Sequence, residues 1–344
     1  MEMRKVQVTG GASYIISLPK DWARAQKIKK NDPIGVLVQP DGTLLISPKL
    51  TEEKARRERT FEVPRDMDPV YLFRLLIATY IAGYSVIRLR SASTLPPFVR
   101  TAVRDFTQMT IGQEVSEETD SSITIKDLLN PMEMPLDRTL SRMAVIVRSM
   151  HLDAINALIA TNETLAADVI KRDNDVDRLH WLVARQYNLI LSDPNLGRSM
   201  KITPGTASTC YVLSRIIERI GDHGVRIAKN AEKLMERRLE TSEKTSLAES
   251  MDIALDLFSR GMDAFSAADL EASHRIIGMT APLEERCAGM ETMAQHHKGE
   301  IATALVAVIS SIRRIGEYTE DICENTMNHL VAEGMPEPAT GPGT

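Results

Sequence analysis

The chain has 344 residues, more than one hydrophobic core usually supports, so its length excludes a single small domain and favours two or three. Apolar residues make up 43% of the sequence and charged residues 26%, which is typical of a folded globular protein and excludes a wholly disordered chain. Three cysteines that are far apart in sequence exclude a disulfide scaffold. The net charge of −5 is unevenly distributed along the chain.

Three of the first five residues are charged and no long apolar run follows them, so we expect no secretory signal and a cytoplasmic protein. The longest uncharged stretch, residues 301–312, is too short to cross the roughly 30 Å core of a bilayer. We therefore expect no membrane insertion.

Residues 1–50 form a small basic segment with eight Lys or Arg and four acids, a net charge of +4 that leaves −9 on the rest of the chain. Short β-favouring runs separated by turn residues follow one another here, at residues 6–8, 14–18, 34–38 and 43–46. A helix is expected to start at Pro19. A segment of this size buries too little surface to be stable alone, so we expect it to form a dimer. Its positive charge favours binding to a polyanion.

Three motifs within this segment resemble the AbrB/SpoVT-type swapped-hairpin family: Arg4-Lys-Val-Gln-Val-Thr-Gly-Gly11, Ser17-Leu-Pro-Lys20 and Asp41-Gly-Thr-Leu-Leu-Ile46. The resemblance covers nearly all of residues 3–48 and implies an intertwined dimeric DNA-binding unit that antitoxins also use. The opening strand and the first helix carry most of the positive charge away from the acids. The candidate DNA contacts are therefore Arg4, Lys5, Lys20 and Arg24.

A charged run at residues 51–59 predicts a solvated linker. Beyond it, the pattern predicts a small α/β unit over residues 60–130, for which a scaffold or a dimer surface is the simplest role. Its predicted elements are a strand at 60–63, a helix at 69–82, a strand at 84–89, a helix from Pro96 and a hairpin with strands at 110–115 and 122–125.

From Leu136 onward the sequence is helical and contains an internal repeat. Arg219-Ile-Gly221 recurs as Arg314-Ile-Gly316, 95 residues later. The first copy covers residues 135–235 and the second covers 244–331. The pattern predicts three long helices in each copy. The remaining residues, 332–344, are rich in Pro and Gly and predict a disordered tail.

The repeated segments resemble the PhoU family of phosphate uptake regulators over roughly residues 135–331, most specifically at Glu218-Arg-Ile-Gly-Asp222. The resemblance implies two repeated three-helix bundles. The expected fold class is therefore mainly α: two PhoU-like three-helix bundles preceded by a small β-rich swapped-hairpin domain and a small α/β unit.

Helical geometry places Glu218 and Asp222 opposite the apolar stripe of their helix, and it places Glu317 and Asp321 opposite the stripe of theirs. We therefore expect these acids on the outer face. The PhoU resemblance implies that such acid pairs hold surface metal clusters, and hard oxygen ligands suit iron, manganese or magnesium. The matching positions are Asp173, Asp177, Glu218, Asp222, Glu284, Glu317 and Asp321.

Departures from the family pattern leave an alternative open. Arg313 and Arg226 stand where the family has Glu and Asn, and Thr280 stands where the first repeat has Asp173. An arginine can neutralise a carboxylate in place of a metal, so a salt-bridged, solvated face competes with metal binding. His180 and His223 lie close enough in sequence to add nitrogen ligands, although a lone helical histidine is more often a packing residue.

The sequence thus predicts a non-enzymatic cytoplasmic regulator of phosphate uptake and homeostasis that binds DNA and controls transcription. By resemblance, its protein partners would be a phosphate-transporter ATPase or a phosphate-sensing kinase. The alternatives are a metal-binding helical adaptor whose N-terminal domain only dimerises, and a carboxylate-bridged metalloprotein. The second of these needs two Glu-x-x-His helices, of which Glu271-Ala-Ser-His274 is a single copy. An antitoxin assignment would leave the long helical part unexplained.

Overall fold

The computed structural model describes residues 2–11, 13–38, 42–48, 57–235 and 239–334. The chain divides into two compact units, Met1–Ala55 and Arg56–Thr344.

The first unit consists of two hairpins with a short helix, α1 (Lys20–Ala25), between them in sequence. Strands β1 (Gln7–Thr9) and β2 (Ser13–Ile15) pair antiparallel, as do β3 (Gly35–Val38) and β4 (Leu44–Ser47). Gly10 and Gly11 turn the first hairpin with φ of +63° and +81°, a conformation that glycine adopts without steric cost.

None of the described residues of this unit is buried. Five large apolar side chains of its hairpins are between 60% and 79% exposed: Val6, Val8, Tyr14, Val36 and Val38. Isolated two-stranded hairpins are marginally stable in water, so these side chains need a further surface to pack against.

The second unit opens with a four-stranded sheet of order β5-β6-β8-β7. Its elements are β5 (Glu58–Glu62), α2 (Pro69–Ile81), β6 (Val86–Arg90), α3 (Pro97–Met109), β7 (Gln113–Glu118) and β8 (Ser122–Asp127). β5 and β6 are parallel and the other pairs are antiparallel. The helices cover one face, where Leu72, Tyr80 and Phe106 join Ile87 and Ile125 in a core.

The prediction of a linker over residues 51–59 is wrong at its end, because Glu58 and Arg59 already pair with Val86 and Ile87 in the sheet. The charges of this run project from an edge strand, where backbone pairing does not depend on side-chain hydrophobicity. Residues 51–56 lie outside the described residues.

The helical body follows as two successive sets of helices. The first contains α4 (Leu136–Ala160), α5 (Glu163–Ser192), the short α6 (Pro194–Ser199) and α7 (Pro204–Met235). The second contains α8 (Thr241–Ser266), α9 (Leu270–Ile277), α10 (Ala281–Ala294) and α11 (Glu300–Ala332). α7 and α11 pack along each other, and one hydrophobic core runs through both sets.

The expectation of three long helices per copy holds for the first copy and is wrong for the second. There the middle helix is interrupted between Ile277 and Ala281, so α9 and α10 replace one long element. Gly278 caps α9, and Pro282, in the first turn of α10, lacks the amide hydrogen that a continuous helix would require. α11 runs to Ala332, and residues 335–344 of the predicted tail lie outside the described residues.

Among the described helices, α4 is long and apolar enough to cross a membrane by length and composition. In the structure α4 is a core helix that packs against α5, α7 and α8. Its buried side chains include Leu140, Met143, Val147 and Met150.

Candidate carboxylate site and DNA-contact residues

Two long helices of the first repeat bring together the four acidic residues that were predicted there as metal ligands. α5 and α7 pack side by side, with Asp173 and Asp177 on α5 facing Glu218 and Asp222 on α7. Within each helix the two acids are four residues apart and therefore share one face. The Oδ1 atom of Asp173 would lie 3.7 Å from a Cβ atom added at Gly221, so the two helices approach closely beside the acids.

The electrostatics of this carboxylate cluster (Asp173, Asp177, Glu218 and Asp222) are strongly perturbed. Partial burial, followed by the charges of the other three acids, raises the pKa of Asp177 to about 7. Partial burial and the charge of Asp222 raise the pKa of Asp173 to about 6. The pKa values of Glu218 and Asp222 are also raised, with desolvation the largest cause. Mutual repulsion of this kind is relieved by protonation or by a cation.

Two oxygens of the cluster are buried and have no hydrogen-bond partner, Oδ1 of Asp173 and Oε2 of Glu218. The nearest cation to Glu218 is Arg215, whose Nη1 atom lies 3.6 Å from Oε1, beyond ordinary hydrogen-bond distance. The cluster therefore has unused acceptor capacity that its own side chains do not satisfy.

The expectation that Glu218 lies on the outer face is wrong, since its side chain is 13% exposed. α7 packs against α4, α5 and α11, so its buried side is wider than one apolar stripe and reaches Glu218, which lies next to the buried Val225 on the helical wheel. Asp222 is exposed, as expected.

The histidines near the cluster serve mainly as packing residues. His180 is buried, with Nδ1 2.9 Å from Oγ of Ser214 and its ring stacked on Tyr211, and burial lowers its pKa to about 4. His223 is half-buried and lies against the ring of Tyr318.

His151, a fully buried residue of α4, was not among the residues predicted from the sequence. Its Nε2 atom donates a hydrogen bond of 2.8 Å to the carbonyl of Ile220 on α7. Burial lowers its pKa to about 4.

The equivalent acids of the second repeat are neutralised or dispersed. Arg313, at the position of Glu218, pairs with Glu291 at 2.9 Å, and Arg314 pairs with Glu317. Asp321 and Glu284 are exposed.

Two more of the sequence-derived positions in the second repeat are accounted for by local contacts. Thr280, at the position of Asp173, donates a hydrogen bond to Glu320. On α9, Glu271 and His274 are exposed at the surface and not in a bundle core, so they do not form the inward motif of a carboxylate-bridged centre.

The fit of a metal therefore differs between the repeats. The first supplies four hard oxygen donors, two of them without partners, which suits magnesium, manganese or iron. As these side chains lie, however, neither they nor any other His, Cys, Asp or Glu in the described ranges form a group of three that could hold a metal ion. A cation would have to draw the carboxylates together. The second repeat fits a metal less well, because Arg313 pairs with Glu291 and Arg314 with Glu317.

The four candidate DNA contacts lie on the exposed surface of the first unit. Lys20 and Arg24 are one turn apart on α1 and project from the same side. Arg4 and Lys5 precede β1, and the guanidinium of Arg4 pairs with Glu2.

A buried ionic contact that was not predicted from the sequence joins the α/β unit to the helical body. Arg185 of α5 donates to the carbonyls of Tyr80 and Tyr84 and, at 2.6 Å, to Asp127, and its guanidinium lies over the ring of Tyr80. The side chains of Arg185 and Asp127 are 3% and 11% exposed. The available signal was an arginine at a core-facing position of α5, between the buried residues Leu182 and Ile190.

Comparison with known proteins agrees with both sequence resemblances. Residues 140–231 match the PhoU domain, and residues 7–54 match the domain described as "Antidote-toxin recognition MazE, bacterial antitoxin". Over 210 residues the chain is 23% identical to the phosphate-specific transport system accessory protein PhoU homolog 1 of Thermotoga maritima, covering 59% of this chain and 88% of that protein.

Solved structures show the same fold. The phosphate transport system regulatory protein PhoU from Streptococcus pneumoniae matches with a TM-score of 0.50 and 16% identity, over 57% of this chain and 94% of that one. PhoU from Pseudomonas aeruginosa matches with a TM-score of 0.51 and 18% identity, over 57% and 96%. The predicted resemblances and the mainly helical, PhoU-like fold class are confirmed.

Proposed function

We propose that the chain is a cytoplasmic, non-enzymatic regulator of phosphate transport and phosphate homeostasis that acts on transcription through its N-terminal unit. The observation that carries the proposal is the joining of two matched parts in one chain, a PhoU domain within the helical body and an antitoxin-type domain at residues 7–54. The relative from Thermotoga maritima is described as an accessory protein of phosphate-specific transport, which supports phosphate transport as the process.

The N-terminal unit would act as a homodimer on DNA. The absence of buried side chains among its described residues supports a second copy as the missing half of its core. The exposed cations Arg4, Lys5, Lys20 and Arg24 supply positive charge for phosphate contacts.

The helical body would receive the phosphate signal from another protein. A transporter ATPase or a phosphate-sensing kinase is the partner that its similarity to phosphate transport proteins favours. A change of state in the body would then alter the geometry of the DNA-binding dimer.

The carboxylate cluster would contribute a metal site to the body. Asp173, Asp177, Glu218 and Asp222 would hold magnesium, manganese or iron. Burial raises the pKa of all four acids, and repulsion between the acids adds to this for Asp173, Asp177 and Glu218; a bound metal would offset both effects. The second-repeat residues Glu284, Glu317 and Asp321 would bind more weakly, because arginines already neutralise that region.

Binding of the full chain to genomic DNA fragments, followed by sequencing of the retained fragments, tests the transcriptional part. We expect affinity to fall steeply between roughly 50 and 200 mM salt, because several phosphates would be neutralised. The double substitution Lys20→Ala/Arg24→Ala should weaken binding and reduce the salt dependence, whereas Lys298→Ala, an exposed lysine of the helical body, should not.

A chain that dimerises but retains no DNA at low salt would favour the alternative of a helical adaptor whose N-terminal unit only dimerises. Deletion of the gene tests the process itself. We expect altered phosphate accumulation and altered expression of phosphate-uptake genes, and normal behaviour in both phosphate-rich and phosphate-poor growth would refute the assignment.

A further inference from the structure

One end of the helical body contains a cavity of about 510 Å³ that none of the functions above uses. It lies where the first turns of α4 and α7 meet the last turns of α8 and α11, so both repeats contribute to its walls. The volume is within the range of about 300–1,000 Å³ that is usual for small-molecule sites. It is well away from the carboxylate cluster, which lies about two turns further along α7.

The floor of this inter-repeat cavity is apolar. Its buried lining residues are Leu136, Leu140, Cys210, Met262 and Leu330. Burial and the charge of Asp137 raise the pKa of Cys210 to about 12, so its thiol remains neutral and acts as an apolar lining group. Close-packed helical cores rarely leave such a volume between them, and a floor of this kind accommodates an aliphatic or aromatic group.

The rim is polar and carries two groups suited to an anion. Lys201 and His329 line the mouth, and neither makes an ion pair with another residue described in the structure. The acid at the rim is Asp137, the second residue of α4. Its carboxylate interacts favourably with the partial positive charge at the N-terminus of its own helix. Lys201 is therefore the charge available to a bound head group, and His329 can donate a hydrogen bond to it.

The backbone holds parts of the rim in fixed positions. Lys201 and Ala268 adopt φ of +56° and +53°, a region that costs a non-glycine residue about 1 kcal/mol or more. On the adjoining wall, Thr203 donates a hydrogen bond of 2.7 Å to Glu333, which ties the start of α7 to the end of α11. The mouth is thus formed by anchored segments and not by free loop ends.

From these observations we infer that the inter-repeat cavity binds a soluble single-chain amphiphile, with its hydrocarbon chain on the Leu136–Cys210–Met262 floor and its anionic head at Lys201 and His329. Burial of the chain supplies most of the affinity, and the two rim groups select the sign of the head. A ligand here contacts both repeats and would stabilise their packing.

Isothermal titration of the full chain with decanoate, below its micellar concentration, tests this inference, with decyltrimethylammonium as the probe of opposite charge. We expect one decanoate per chain and at least tenfold weaker binding of the cationic probe. Lys201→Glu should weaken decanoate binding tenfold or more, and Ser141→Trp, which places an indole at the mouth, should abolish it.

Lys298→Glu and Asn156→Trp, at exposed positions outside the cavity, are the matched controls and should change the affinity by less than twofold. Circular dichroism checks that Ser141→Trp is folded, and Lys201→Glu, a surface change, tests the inference independently of it. The inference is overturned if decanoate does not bind, if the cationic probe binds equally well, or if Lys201→Glu has no effect.

Discussion

Replacing Arg185 by methionine tests how strongly the α/β unit is held to the helical body. The substitution retains an unbranched apolar side chain of similar reach but removes every donor from the contact. Asp127 then loses its ion-pair partner at 2.6 Å, and the carbonyls of Tyr80 and Tyr84 lose the donors that reach them from α5.

The expected cost follows from burial. Removing one partner of a buried ion pair typically destabilises a protein by about 3–5 kcal/mol, because the remaining charge stays desolvated. Asp127 is 11% exposed and keeps a hydrogen bond from the amide of Leu129, so we expect the lower half of this range, about 3 kcal/mol. Arg260→Met is the matched control, because Arg260 pairs with Asp256 at 3.5 Å on the open surface, where about 0.5 kcal/mol is usual.

Tryptophan fluorescence during urea unfolding gives the measurement. The chain has two tryptophans, and Trp181 of α5 packs against the core of the α/β unit. In a Trp22→Phe background, Trp181 reports this contact alone. The double variant Arg185→Met/Asp127→Asn should recover part of the loss, since no unpaired charge remains buried. A loss below 1 kcal/mol for Arg185→Met, or no recovery in the double variant, would refute the reasoning.

Three further predictions concern the helical body. Asp222→Asn should lower the metal content of protein purified without chelator while leaving the fold intact. Asp321→Asn should change the metal content little. Equal metal in wild type and Asp222→Asn, measured by elemental analysis, would contradict the proposed site. His151→Gln should reduce acid sensitivity. Burial lowers the pKa of His151 from 6.5 to about 4 on folding, so the unfolded chain takes up a proton first as the pH falls from 6.5 towards 4, and the free energy of unfolding drops by about 3 kcal/mol over that range. Parallel stability curves for both proteins by denaturant titration would contradict this. Thr280→Val removes the hydrogen bond to the carboxylate of Glu320 and should cost about 1–2 kcal/mol by thermal unfolding, with Thr292→Val, a threonine bonded only within its own helix, costing less.

The sequence was most informative where local chemistry decides the structure. The glycine pair at residues 10–11 favours a turn, and the β-favouring residues on either side of it predict the first hairpin. The helices at Pro69 and Pro97 begin at residues whose fixed φ favours a first turn. The repeat of Arg-Ile-Gly predicted that α7 and α11 are equivalent, and these two helices do pack against each other in the body.

The remaining features depend on which elements pack together, and periodicity carries little of that information. Glu218 is covered because three helices, α4, α5 and α11, pack against α7. The prediction from the helical wheel assumed that only the apolar stripe of α7 is buried. Arg185 was overlooked because its partners lie 58 to 105 residues away in sequence. The break before α10 was in principle visible in Gly278 and Pro282, but the assumed equivalence of the two repeats concealed it.

The absence of buried side chains among the described residues of the N-terminal unit has a thermodynamic consequence. In the proposed homodimer, a second copy covers the exposed apolar side chains of this unit. The unit would then not complete its fold before it associates, so its folding and assembly would be one equilibrium. Its melting temperature should then rise with protein concentration, while that of the helical body, which encloses its own core, should not. With the DNA binding proposed above, the number of chains in a cell would set the fraction that is dimeric and able to bind DNA, and at low abundance the concentration of that dimer would vary with the square of the chain's concentration.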